Sequence, residues 1–359
     1  QLRQAMGSTR SRERKERLRA RLFDGMRERG ITDDIVEQIR DKLAAFSNYG
    51  FPESHSVSFS YLVYASSWIK YHYPAAFCAA LLNAQPMGFW APHTLVGDAR
   101  RHGVVVRTPD LNASADTATL EPCPDSTGGR AVRLGLGSVR GVGDDLAAEI
   151  AAGRFYTSVE DLRRRVPTMS LAVLEALATA GAFGCFGIDR RSALWAAGAM
   201  AQTATDRLPG IVTGVEAPTL PGMSDQELSH ADLWATGVAP DGHPTRYLRA
   251  DLDRIGVVTA DGLSGVDHGA RVTVGGVVTH RQRPATAGGT TFLNVEDETG
   301  LVNVVVSKGC WQRYKSAARG APALLVRGRI EKEEGVINVV ADKLEPLPVG
   351  AELRSRDFR

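Results

Sequence analysis

Ser54 and His55 stand side by side in Tyr49-Gly50-Phe51-Pro52-Glu53-Ser54-His55-Ser56-Val57-Ser58-Phe59, just ahead of a strongly apolar run. A hydroxyl and an imidazole at the start of a helix sit where unpaired backbone N–H groups favour an anion. The alternative for His55 is a helix cap or a partner for a nearby carbonyl. A second pattern is Asp251-Leu252-Asp253, the spacing of a metal-binding carboxylate pair. Tyr247, Leu248, Leu252 and Ile255 give that segment a helical stripe, which puts both aspartates on its outer surface and argues against a metal. A third is Leu134-Gly135-Leu136-Gly137-Ser138-Val139-Arg140-Gly141-Val142-Gly143-Asp144. Gly-hydrophobic-Gly between two helical segments reads as a hairpin whose glycines allow a tight turn, with positive φ at Gly143, and a close backbone approach. The next helix would then offer its N–H groups to a DNA phosphate, with Arg140 beside them and no base specificity. The alternative is a structural turn between packed helices.

The elements that must hold these residues follow from periodicity. The apolar run is a helix from about Ser58 to Tyr73, with Phe59, Leu62, Val63, Ser66, Ile69 and Tyr73 on one buried face. Residues 1–30 carry Arg3, Arg10, Arg12, Arg14, Lys15, Arg17, Arg19, Arg21, Arg27 and Arg29 against Glu13, Glu16, Asp24 and Glu28. Leu18, Leu22, Phe23 and Met26 give this segment an apolar stripe, so it reads as a helix with a basic outer face. That face is either solvated and laced with ion pairs or a phosphate-contacting surface. Thr32 is the expected N-cap of the next helix, whose buried stripe is Ile35, Ile39, Leu43 and Phe46, with Ile31 and Val36 as a hydrophobic staple. Helices are expected at Ala75–Ala84, burying Phe77, Cys78 and Leu81, and at Thr94–His102, followed by a β-like run at Val104-Val105-Val106, while the region to about 128 as a whole reads as helical. After the hairpin, Ser158 opens another helix, and Leu171, Leu174, Ala178 and Gly181-Ala182-Phe183 resemble a degenerate second copy. Residues 203–230, rich in Pro, Gly, Thr and Asp, read as a linker.

From Arg271 to Leu347 the pattern becomes strands: Val272–Val278, Phe292–Val295, Leu301–Val306, a helix around Trp311–Ala318, then Ala323–Ile330 and Val336–Val340. Five strands with a helix after the third fit an OB-fold. Alternation turns Leu293 and Val295 inward and Phe292 and Asn294 outward. Phe292 is placed to stack a base, or to pack on a neighbouring domain, and Arg281 and Arg283 in the first loop are placed to meet phosphates.

Bulk composition sets the limits. The chain has 359 residues, 43% hydrophobic and 23% charged, with a net charge of +2. That is ordinary globular composition with room for two or three domains. Cys78, Cys123, Cys185 and Cys310 form no C-x-x-C pair, which suggests neither zinc nor disulfides and fits a reducing cytoplasm. No apolar run is long enough to span a bilayer, and the N-terminal residues show no signal-peptide pattern. The absence of an initiator Met suggests a C-terminal fragment of a longer protein.

The stretch around Ser54-His55 resembles the fingers region of the bacterial C-family DNA polymerases, the alpha subunits of DNA polymerase III. Replicative members read Gly-Phe-Asn, a basic residue, then Ser-His; here Pro52 and Glu53 take the middle places. With Asn83-Ala84-Gln85-Pro86-Met87-Gly88-Phe89 downstream, the chain looks like the error-prone, translesion branch. The resemblance implies an α+β multidomain chain: part of a helical fingers region (1–128), a tandem helix-hairpin-helix domain (129–202), a linker with short helices (203–267), a C-terminal β-barrel OB-fold (268–348) and a tail (349–359). It implies that Ser54 and His55, with Arg10 and Arg12, face the incoming deoxynucleoside triphosphate. Catalytic carboxylates and their Mg2+ would lie upstream, leaving this fragment inactive alone. The implied partners are primer-template DNA and accessory translesion proteins. Gln226-Glu227-Leu228-Ser229-His230 begins like a sliding-clamp peptide but lacks its aromatic pair, so no direct clamp grip is expected. The rival readings are a non-enzymatic DNA-binding adaptor built of hairpin and OB modules, and a protein scaffold that never touches DNA.

Overall fold

The computed structural model describes residues 12–48, 53–88, 90–201, 216–284, 287–350 and 355–358. It divides into two compact units, residues 1–67 and 68–359.

In the first unit, α1 (Arg12–Arg27) is followed by α2 (Asp33–Asn48) and the start of α3 (Glu53–His72). Leu22, Phe23 and Met26 are half-buried, and Arg21, Arg27 and Arg29 are exposed, as an apolar stripe with a basic outer face requires. The carbonyl of Thr32 accepts the amides of Ile35 and Val36, and Asp33 and Asp34 occupy the first turn, where the helix dipole favours them. Arg27 Nε donates to Asp33 at 2.8 Å, joining the end of α1 to the start of α2. One position corrects the expected stripe: Val36 is buried, whereas Ile35 is 48% exposed.

α3 corrects the sequence reading more sharply. It starts at Glu53, not Ser58, and buries none of its residues. Leu62 is 63% exposed, and Phe59, Val63, Ile69 and Tyr73 are exposed with it. The reason is in the pattern itself. Val57, Tyr61, Tyr64, Trp68 and Tyr71 fill the remaining sides, so the helix has no single apolar face to turn inward.

In the second unit, α4 (Pro74–Asn83) and α5 (Pro92–Arg101) lie beside a small sheet of β1 (Val106–Arg107), β2 (Thr119–Pro122) and β3 (Arg130–Arg133), ordered β1-β3-β2. This sheet replaces the helical reading of the region to 128. β1, the end of the β-branched run from Val104, pairs parallel with β3, and β2 pairs antiparallel on its other side. Cys78, Val96, Val104, Val132 and Leu134 share one core, whereas Phe77 and Leu81 are only half-buried.

Next come α6 (Asp144–Ala152), α7 (Val159–Arg165), α8 (Leu171–Thr179) and α9 (Arg190–Ala201), packed around Leu136, Ile150, Leu162, Leu177 and Phe183. Ser158 and Ser170 cap α7 and α8 by accepting the amides of Asp161 and Val173. The stretch read as a linker carries α10 (Asp225–Thr236), opened by a capping box in which Ser224 and Glu227 bond reciprocally. Leu233 and Ala235 of α10 are buried, and Gln226–His230 lies within this helix. α11 (Arg249–Arg254) and β4 (Val257–Val258) lead into the barrel.

The barrel is β5 (Arg271–Gln282), β6 (Thr291–Glu296), β7 (Leu301–Val306), α12 (Lys308–Arg313), α13 (Lys315–Gly320), β8 (Ala323–Glu333) and β9 (Val336–Pro346). The pairings run β5-β6-β7-β9-β8 and close through β8 with β5. The helical stretch after the third strand is two short helices, not one, meeting at Tyr314. Leu293, Val295, Val304, Leu324, Val326, Ile330 and Val339 fill the interior. β5 outruns the closed part: β4 pairs parallel with its first half, and β10 (Arg356–Phe358) pairs parallel with its last residues.

Candidate nucleic-acid interface

The hairpin before α6 is built from buried anchors and an exposed tip. Leu136, Val139 and Val142 point into the core, while Arg140, Gly141 and Gly143 are exposed. Gly135 sets the base of the turn, because a Cβ there would collide with the backbone of Asp116 and Thr117. The left-handed position is Gly141, at φ +79°. Gly143 is not strained, contrary to the sequence expectation: it is the N-cap of α6 at φ −79°, and an added Cβ would meet nothing within 4 Å. The backbone at the start of α6 is therefore open to an approaching group. Asp144 and Asp145, both exposed, share that first turn and temper its pull on an anion. The Arg140 guanidinium lies 4.5 Å from the centre of the Trp234 ring, and its amide donates to the Ala235 carbonyl at 2.7 Å. The hairpin tip is thus tied to α10.

The second copy also turns on glycine: Gly181, at φ +82°, ends α8 and starts a short turn over Ala182–Phe186. The Arg163-Arg164-Arg165 run serves the fold. Arg164 pairs with Asp161 at 2.7 Å, and Arg165 donates to the carbonyls of Gly153 and Phe155.

On the barrel, Phe292 is 38% exposed and registers with Val305 on β7. Beside it, Asn294 Nδ2 donates to Asn303 Oδ1 at 3.0 Å. Leu293 and Val295 face the core, as alternation requires. Arg283 is exposed, 5.5 Å over the Trp311 ring. Arg281 corrects the expectation of a phosphate contact. It lies within β5, not in a loop, and is 6% exposed. Its Nε donates to the Ala318 carbonyl at 2.8 Å, its other nitrogens reach Ala321, Ser355 and Asp357, and burial lowers its pKa against the opposing pull of Asp357. It fastens the end of α13 and β10 to the barrel.

Ser54 and His55 occupy the exposed first turn of α3. The His55 ring sits 4.4 Å from Phe59, and the Ser54 carbonyl accepts from Ser58 Oγ at 3.0 Å. Arg10 lies outside the described residues, and Arg12 opens α1 with its side chain likewise outside them. The carboxylates of Asp251 and Asp253 are mostly exposed on either side of buried Leu252 and pair with Arg254 at 2.7 Å and Arg249 at 3.4 Å. Among the described residues no cluster of His, Cys, Asp or Glu could hold a metal ion, so they do not fit a Mg2+ site. No helix among them is long and apolar enough to cross a membrane.

Sequence reasoning missed the joint between modules. Glu296, fully buried at the end of β6, accepts from Thr94 and Arg101 of α5 at 2.9 and 3.2 Å. The one signal was an acid at the end of an apolar strand.

The glycine-turned hairpin and the closed barrel define a multidomain nucleic-acid-binding architecture. Residues 103–193 match the model of the helix-hairpin-helix motif, and residues 272–347 match that of the OB-fold nucleic acid binding domain. Over its whole length the chain is 56% identical to an error-prone DNA polymerase of Mycolicibacterium paratuberculosis, 55% to that of Mycobacterium tuberculosis and 56% to that of Nocardia farcinica, covering 33%, 33% and 32% of those proteins. The chain spans about a third of the length of the curated relatives it matches. Among solved structures, an asparaginyl-tRNA synthetase from Pyrococcus horikoshii overlays 22% of this chain and 20% of its own at 27% identity, with a TM-score of 0.20.

Proposed function

We propose that the chain is the C-terminal part of an error-prone DNA-directed DNA polymerase that works in translesion synthesis. The observation that carries this reading is the 56% identity to such an enzyme along the whole chain. The hairpin at Arg140, Gly141 and Gly143 grips the DNA backbone through amides and one cation, without reading sequence. The Phe292 face of the barrel, flanked by Arg283, holds single-stranded template by stacking, which every base can provide. Ser54, His55, Arg10 and Arg12 belong to the fingers and face the deoxynucleoside triphosphate. The Mg2+ ions of nucleotidyl transfer are held by carboxylates in the other two thirds of the enzyme. Accessory translesion proteins complete the assembly in the cytoplasm.

The test compares the chain with the full-length enzyme on a labelled primer-template. The chain should bind it with affinity that falls steeply as salt rises, and should add no nucleotide with magnesium or manganese. The full-length enzyme should extend it. Extension by the chain that disappears in Asp251→Asn with Asp253→Asn would place the active site here and overturn the proposal.

A further inference from the structure

A cleft of about 510 Å3 opens where α5, the turn at Pro244–Leu248 and the barrel hairpin at Asp297–Glu298 come together. Arg100, Arg246 and Arg249 line it. The acids on its barrel wall are already committed. Asp297 Oδ1 accepts from the Thr299 amide and hydroxyl and the Gly300 amide at 2.7–2.9 Å, and its Oδ2 accepts the Ala260 amide at 2.7 Å. Glu298 accepts from Thr245 Oγ1 and Arg249 Nε, each at 2.5 Å. Glu296, next along the chain, is held by Thr94 and Arg101.

The donors are not used up in the same way. Arg100 Nη1 donates to the Gly242 carbonyl and Arg246 Nη1 to the Asp241 carbonyl, each at 3.2 Å. Neither guanidinium forms an ion pair with a carboxylate among the described residues. Arg249 Nη2 is buried without a hydrogen bond, its one acidic contact an ion pair with Asp297 Oδ2 at 3.6 Å. Each arginine carries five N–H donors, so Arg100 and Arg246 keep donors beyond the carbonyls they reach, while Arg249 is shared among Glu298, Asp297 and Asp253. Burial lowers the Arg100 pKa, the nearby Asp241 resists, and Arg246 and Arg101 push it further down. The cations are therefore close enough to repel one another. Burial also takes the His243 imidazole on the cleft wall down to about 3 against the pull of Glu298, so it stays neutral.

We propose that this cleft binds a phosphate group through Arg100, Arg246 and the Nη2 of Arg249. Guanidinium forks match phosphate oxygens in pairs, and a partly desolvated site strengthens each bond. The volume admits a diphosphate. The phosphate comes either from a DNA backbone or from a free pyrophosphate or nucleotide. The site rests on its own side chains and stands independently of the polymerase reading.

Two measurements on the whole chain decide it. The first is calorimetric titration with sodium pyrophosphate at ionic strength held constant with sodium chloride. A saturable isotherm is expected in the wild type, weakened at least ~10-fold in Arg100→Gln with Arg246→Gln, since two charge-assisted contacts are lost. The second is the salt dependence of duplex DNA binding. If the cleft holds a DNA phosphate, the slope of log K against log salt should fall by about 1 in the double variant, one phosphate's share. An unchanged slope with a lost pyrophosphate isotherm assigns the site to small anions. Arg246 is exposed, so Arg246→Gln alone serves if the double variant fails to fold. Gly143→Val separates the hairpin from the cleft: it should weaken DNA binding and leave the pyrophosphate isotherm intact. An isotherm identical in wild type and folded variant overturns the site, as does an absent isotherm with an unchanged salt slope.

Discussion

The Thr94 hydroxyl donates to the buried carboxylate of Glu296 at 2.9 Å, across 202 residues of chain. With Arg101 it docks the barrel on α5. Burial raises the Glu296 pKa, and Arg101 and Thr94 pull it back. Glu296→Ala should destabilise the chain by about 3 kcal/mol, the low end for a broken buried pair because Arg101 still reaches water. Urea unfolding measures it, and a loss below about 0.5 kcal/mol, the level of an ordinary surface change, would show the contact absent in solution.

The hairpin glycines should separate folding from binding. Gly141→Val forces a β-branched residue to φ +79° and should cost about 1–3 kcal/mol of stability. Gly143→Val enters open space and should cost no more than about 1 kcal/mol of stability, the difference between a favoured and a poor N-cap, while weakening DNA binding by about 1.5–3 kcal/mol, the worth of a hydrogen bond to a charged group. Thermal melts and DNA titrations on both variants check this. Unaltered DNA affinity in Gly143→Val removes the hairpin from the interface.

Phe292→Ala should lower affinity for mixed-sequence single-stranded DNA by about 1–3 kcal/mol if the ring carries a stacked base. The loss should be the same for different sequences. Fluorescence anisotropy on the whole chain provides the readout, and a loss confined to one sequence rejects stacking.

Asp232 supplies a pH dependence. Burial raises its carboxyl from 3.8 to about 6, against the opposing charge of Arg190 2.7 Å away. A raised folded pKa means that the protonated form favours the fold. This contribution is fully present below about 3.8 and is lost as pH rises through about 6. Asp232→Asn should flatten the change in melting temperature across that window relative to wild type. A parallel pH profile in the variant would show that Arg190 holds the carboxyl ionised throughout.

The barrel was legible because its strands alternate: Leu293 and Val295 inward, Phe292 and Asn294 outward, each a local consequence of the pleat. The Ser158 cap and the outward aspartates of Asp251-Leu252-Asp253 were legible for the same local reason. The misreadings involve partners that a local pattern does not name. Arg281 looked like a loop cation because nothing nearby announces the carbonyls of Ala318 and Ala321. The stripe of α3 has helical spacing, but the aromatics on its other sides leave the helix no single face to bury. The cleft arginines were invisible because Arg100 and Arg246 meet only after the chain has folded back over more than a hundred residues.

The long strand β5 is hydrogen-bonded to β8 and β4 along its first half and to β6 and β10 along its second. No partner can leave without exposing backbone groups of the one strand they share. In amide exchange, β5 should therefore form a single slow block with the closing strands, opening only when the barrel opens as a whole. A tug on either flank is taken up by many bonds at once, so the barrel behaves as a rigid mount for whatever its outer face carries.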